Sequence, residues 1–147
     1  MKPIVAYLQS LGLQTLVAEG MTIDDLRSHV AAGRPVIVNC QDYLDPGTTA
    51  EGYDNGHYLV CIGVVDQYVV LQDSSIENAL REPGGDVPPD QADPEINIAA
   101  PGRILVHIND WLKVWHDADG STDGTGTKHD QLGIAVGPPV PAARAAA

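Results

Sequence analysis

Gly56-His57-Tyr58-Leu59-Val60-Cys61-Ile62-Gly63-Val64, followed by Tyr68-Val69-Val70-Leu71-Gln72-Asp73, is the stretch on which the reading of this fold turns. Both segments are β-branched and apolar, and the three residues Val65-Asp66-Gln67 between them read as a tight turn. Two strands so joined run antiparallel, so the start of the first lies beside the end of the second. His57 and Asp73 are therefore expected to be neighbours. A carboxylate beside one imidazole nitrogen fixes the tautomer and stabilises the imidazolium, which makes the pair the base and orienter of a nucleophile–His–Asp triad. The alternative is two ordinary polar residues at the solvated rim of a sheet.

Working outward, Ile4, Val5, Leu8 and Leu11 recur at helical spacing, and Gly12 stops the pattern. A short strand is expected over Gln14–Ala18. Thr22 with Asp25 three residues later is an N-cap signal, Ile23, Leu26 and Val30 form an apolar stripe, and Gly33 closes that helix. Pro35–Cys40 reads as a strand and Gln41–Gly56 as a polar loop. Ser74–Gly102 is rich in Pro, Gly and Asp, without periodicity. Strand character returns over Arg103–Ile108, after which Asn109 is expected to cap a short helix carrying Trp111, Leu112, Val114 and Trp115. A flexible stretch over His116–Asp130 and a last strand at Leu132–Val136 complete the reading, with a disordered tail over Pro138–Ala147. Helices first and antiparallel strands afterwards give an α+β fold with about five or six strands, centred on the His57–Val64 and Tyr68–Asp73 pair.

A chain of 147 residues suits one domain, and since Phe is absent its core must rest on Val, Ile, Leu and Ala. The formal charge of -12 argues against nucleic acid as a partner, because phosphate recognition needs basic surface. Cys40 and Cys61 belong to neither a CxxC motif nor a zinc-finger pattern, so a reducing compartment, by default the cytoplasm, is expected. Met1–Ser10 is too short and too interrupted by polar residues for a signal peptide, and no apolar run reaches membrane-spanning length.

The order of these features resembles the papain-like cysteine peptidases, and among them the bacteriocin-processing (double-glycine leader) peptidase family. The residues that carry the resemblance are Gly33-Arg34-Pro35-Val36-Ile37-Val38, Gly56-His57-Tyr58-Leu59-Val60, Val69-Val70-Leu71-Gln72-Asp73 and Trp111-Leu112-Lys113-Val114-Trp115. The likeness runs from about Ile4 to Val136. It implies a papain-like fold over residues 1–137, a peptide or protein as substrate, His57 as general base and Asp73 as its orienting acid. Ser74 follows Asp73 where the family usually has proline.

The family carries its catalytic cysteine near its beginning, at the N-terminus of a helix that lowers the thiol pKa, with an oxyanion-stabilising glutamine just before it. No cysteine precedes Gly33 here, and the segment from Ile4 looks like the family's second helix, so the first helix is missing from the resemblance. Cys61 stands four residues beyond His57, about 13 Å along the strand at ~3.3 Å per residue, too far for direct proton transfer. Cys40 ends the adjacent strand and lies nearer, without a helix terminus to activate it. Both read as small apolar side chains. Either an active enzyme has been shortened, which the loss of a whole helix favours, or a non-catalytic relative keeps its groove to bind peptides. In either case no peptidase activity is expected of this chain.

One other pattern holds chemistry. Asp117-Ala118-Asp119-Gly120-Ser121-Thr122-Asp123-Gly124 alternates oxygen-bearing side chains with turn-forming glycines, the logic of a calcium loop, although no glutamate closes it. Asp117, Asp119 and Asp123 are the candidate ligands, against the reading of an acidic solvated loop; no other cofactor is implied. His29, His107, His116 and His129 make no zinc-type set. Trp111 and Trp115 are expected to pack on the sheet, and Tyr43, Tyr53 and Tyr58 to line a groove near His57 or to pack at its rim.

Overall fold

The computed structural model describes residues 1–41, 52–53, 56–73, 102–119 and 126–138. The expected Ser74–Gly102 connection, apart from Gly102, lies outside these residues, as do Ser74, Tyr43, Asp123, most of the Gln41–Gly56 loop and all but the first residue of the tail. The chain is α+β. Its elements are α1 (Lys2–Ser10), β1 (Gln14–Ala18), α2 (Ile23–Ala31), β2 (Val36–Gln41), β3 (Gly56–Val65), β4 (Tyr68–Gln72), β5 (Arg103–His107), α3 (Ile108–Val114), β6 (His116–Asp119), β7 (Thr127–Asp130) and β8 (Gly133–Gly137). Six strands make one wholly antiparallel sheet in the order β1-β8-β2-β3-β4-β5, and β6 and β7 make a separate two-stranded ribbon.

The hairpin at its middle differs from expectation in an instructive way. Val65 pairs with Tyr68, so only Asp66 and Gln67 turn the chain, with Asp66 in the left-handed region at φ 51°. From the turn the register runs Val65–Tyr68, Val64–Val69 and Gly63–Val70; beyond a bulge it resumes as Cys61–Leu71 and Val60–Gln72, leaving Ile62 unpaired. An unbroken register would pair Ile62 with Leu71 and turn His57 away from the face of Leu71 and Asp73, because side chains alternate along a strand. The bulge restores the parity. A three-residue turn over Val65–Gln67 would have given the same facing without a bulge.

With that register, one face collects Val36, Val38 and Cys40 of β2, His57, Leu59 and Cys61 of β3, Val69 and Leu71 of β4, and Ile104 and Val106 of β5. All of these except His57 are buried, and they form one cluster with Met21, Leu26, Trp111, Val114, Trp115 and Ala135. Leu26 arrives on α2, whose capping box is complete. Thr22 Oγ1 accepts from Asp25 N–H at 3.1 Å and Asp25 Oδ2 accepts from Thr22 N–H at 2.8 Å. The C-terminus closes through Gly33 N–H to Val30 O and Arg34 N–H to His29 O, a Schellman pair. The Asp25 carboxyl, which accepts from Thr22 N–H and, at 2.7 Å, from the Thr22 hydroxyl, is held by these two bonds below the usual carboxylate range.

Two sequence expectations need correction here. The cap of α3 is His107, not Asn109: the backbone at His107 is extended (φ -61°, ψ 136°), and its ring Nδ1 accepts from Asn109 N–H at 3.2 Å. Strand β5 runs directly to that residue, so the cap falls where the strand ends. The expected flexible stretch His116–Asp130 supplies the β6–β7 ribbon, with His116 opposite Asp130 and Asp119 opposite Thr127. Trp111 and Trp115 do pack into the core, stacked with ring centroids 5.4 Å apart, and Trp115 Nε1–H donates to Leu132 O. No helix among the described residues is long and apolar enough to cross a membrane.

Leu26 is fully buried under α2 while Leu112 on α3 is 41% exposed. Urea unfolding should therefore show Leu26→Ala losing about 2–5 kcal/mol and Leu112→Ala staying within about 1 kcal/mol of the parent.

Candidate active site

The bulged hairpin brings the expected pair together. His57 Nε2 lies 3.0 Å from Asp73 Oδ1, with the Asp73 side chain 7% exposed and the His57 side chain 25% exposed. A buried carboxylate accepting from Nε2–H leaves Nδ1 as the ring nitrogen at which a proton would be exchanged. The acid is held from its own backbone: Asp73 N–H donates to Gly102 O at 2.7 Å, extending the β4–β5 ladder by one bond. Gly102 has φ 72°, and a Cβ there would run into Asp73 O and the Gln72 amide. Only glycine fits that clasp.

Cys40 stands directly opposite His57 in the β2–β3 register and shares its face. It is fully buried, and its thiol donates to the His57 carbonyl oxygen at 3.7 Å. Cys61 is fully buried on the same face, and burial pushes its thiol up to about 11, with a smaller opposing effect from the Gly63 backbone. Neither thiol meets the requirements of a reactive thiolate, which needs an electropositive and accessible setting. In the native chain Cys61 should resist Ellman's reagent at pH 7 to 9, and react on unfolding in guanidinium; rapid native labelling of Cys61, located by peptide mapping, would contradict its burial.

The reverse side of the sheet carries the support. Gln41 and Gly56, the last pair of the β2–β3 ladder, face away from the core beside the ribbon. Gln41 is fully buried and its Nε2 donates to His116 O and to Asp117 Oδ1, both at 3.3 Å. A Cβ on Gly56 would collide with the Asp117 carboxylate, so strand β6 is pressed against the first residue of β3, next to His57. The two described residues upstream are tied to the same ribbon. His116 Nε2 lies 2.9 Å from Gly52 O, and the Tyr53 ring sits 4.7 Å from the His116 ring with Lys128 Nζ 4.2 Å above it. Tyr53 O–H donates to Asp130 Oδ1 at 2.8 Å.

Asp117 is thus a buried strand residue behind the hairpin. Asp119 joins the ribbon opposite Thr127, and Asp123 lies outside the described residues. Among the described residues no three His, Cys, Asp or Glu side chains converge as a metal ion would require. Gln41 and His116 went unnoticed in the sequence as supports, since their partners lie 64 to 76 residues away along the chain. Tyr58 points away from His57 because adjacent residues of a strand alternate, and Tyr53 is tied to the ribbon through Asp130.

No protein-family model, no curated protein and no solved structure shows significant similarity to this chain. The geometry above therefore carries the functional reading.

The Tyr53 phenol is raised above its usual value, chiefly because its proton is shared with the Asp130 carboxylate, with burial and the carboxylate charge adding to it. A folded-state pKa above the unfolded one gives stability that is full below pH 10 and is lost as pH rises through the folded value. In an alkaline titration followed by phenolate absorbance, one of the five tyrosines should ionise late, and Asp130→Asn should bring it back towards the others.

Proposed function

We propose that this chain is a cysteine-peptidase-like domain of papain-like fold that keeps the base and orienter of a Cys-His-Asp triad and, as it stands, does not hydrolyse peptides. The observation that carries the proposal is the His57–Asp73 pair, 3.0 Å apart, with the acid buried and the imidazole reaching the surface. An ordinary solvated rim would leave both side chains in water, and would not bury a carboxylate beside an imidazole. In complete form, such a pair draws the proton from a thiol at Nδ1 while Nε2–H remains on Asp73. The thiolate attacks the peptide carbonyl, the imidazolium returns the proton to the leaving amine, and water then cleaves the thioester.

Within this chain the thiol is the part without a candidate. Cys40 lies beside the histidine but is sealed in the core, and Cys61 is a protonated core residue. Burial of both thiols, Cys40 beside the accessible imidazole and Cys61 farther along the strand, favours the second reading, a non-catalytic module of the same fold that grips an extended peptide. The two free cysteines fit a reducing compartment, and we read the domain as cytoplasmic. A calcium role draws no support from Asp117, whose carboxylate accepts from Gln41.

The full chain mixed with fluorogenic peptides should show no hydrolysis that a thiol-directed inhibitor abolishes; such hydrolysis would overturn the inactive reading. For the binding reading, extended peptides at millimolar concentration should shift the His57 imidazole resonances in NMR spectra. A peptide panel that leaves those resonances unmoved would sink it.

A further inference from the structure

Strand β1 and helix α1 make the one region of the described chain where apolar side chains gather on the outside. Tyr7, Leu11, Leu16 and Val17 are each about half exposed or more, and they are four of the seven exposed large apolar side chains among the described residues. No residue of α1 is buried. Among the described residues, strand β1 is the outer strand of the six-stranded sheet, pairing with β8 on one side only. Leu16 and Val17 point to opposite faces and each is about half exposed, so both faces of this edge reach solvent.

Sheet edges normally carry a lysine, a proline or a bulge that blocks further pairing. Gln14-Thr15-Leu16-Val17-Ala18 has none of these, and its register with β8 is unbroken. The opposite edge, β5, carries Arg103 and His107. Charge points the same way. The chain has a formal charge of -12, yet residues 1–18 contain Lys2 and no acidic residue. Two copies repel across most of their surfaces, and this edge is where they can meet without opposing carboxylates.

We propose that the partner of this surface is a second copy of the chain, joined edge to edge through β1 in a two-fold antiparallel pair that continues the sheet across both subunits. The strand is self-complementary about Leu16. Leu16 meets Leu16 of the partner subunit, Thr15 meets Val17 of the partner subunit, and Gln14 meets Ala18 of the partner subunit. Each is a neutral pair, with β-branched residues opposed at the middle positions. The α1 helices flank the join and bring Tyr7 and Leu11 to it. The symmetry closes, so the assembly stops at two.

Sedimentation equilibrium of the full chain should show a reversible dimer that tightens with added salt, as screening relieves the repulsion of the acidic surfaces. Val17→Lys places a charge on the exposed edge and should weaken dimerisation by tenfold or more, with an unchanged circular dichroism spectrum. Leu16→Cys should form a covalent dimer on mild oxidation, since opposed residues of antiparallel strands have Cα atoms about 4.5–5.5 Å apart. If Val17→Lys fails to fold, the Leu16→Cys cross-link decides. A chain that stays monomeric to about 100 µM in high salt overturns the proposal. So does a dimer in which Leu16→Cys does not cross-link, and so does an edge that pairs only with an added extended peptide.

Discussion

Facing, more than proximity, is the constraint from which the site follows. Strand neighbours alternate sides, so two residues at adjoining strand ends meet only if the register has the right parity. Here the parity is set by the unpaired Ile62. The same register that turns His57 towards Asp73 also aligns Cys40, Leu59, Cys61, Leu71 and Ile104 with the core, so the pair and the core stand or slip together. The energetic weight lies with the core: burying a side chain such as Leu contributes about 1.5–3 kcal/mol, and a slip by one residue would expose several at once. The His57–Asp73 contact inherits its precision from that weight.

Support from behind completes the geometry. Gly56 has no side chain because the Asp117 carboxylate occupies the space, and Gln41 spans the gap by donating to β6. Gly52 and Tyr53 are fastened to the same ribbon. The start of β3 is thus held on both faces, by the apolar cluster on one side and by a polar ribbon on the other. That division suits a residue that must stay fixed while its ring reaches solvent.

Much of this was legible in the sequence, because it is local. The β-branched runs, the Thr22–Asp25 capping box and the stripe Ile23, Leu26 and Val30 are read within a few residues of one another, and the pairing of His57 with Asp73 needs only a hairpin. The tighter turn and its bulge escaped because Cys61-Ile62-Gly63 is apolar throughout and an extra residue leaves no break in it; the isolated Gly63 was the available signal. The ribbon escaped for a different reason. His116-Asp117-Ala118-Asp119 and Thr127-Lys128-His129-Asp130 are polar segments whose strand form depends on each other and on Gln41, far away in the chain. The seat of α3 on His107 depended on where β5 ends, which pattern alone does not fix.

The Asp73–Gly102 clasp has a bearing on how this chain can change. It joins the described chain on either side of residues 74–101, so the backbone of the acid is seated by one hydrogen bond and a glycine. Closing a loop twice as long costs only about 0.6 kcal/mol more. A change of chain length between Asp73 and Gly102 is therefore compatible with the backbone seat of Asp73 as long as Gly102 and its hydrogen bond are kept.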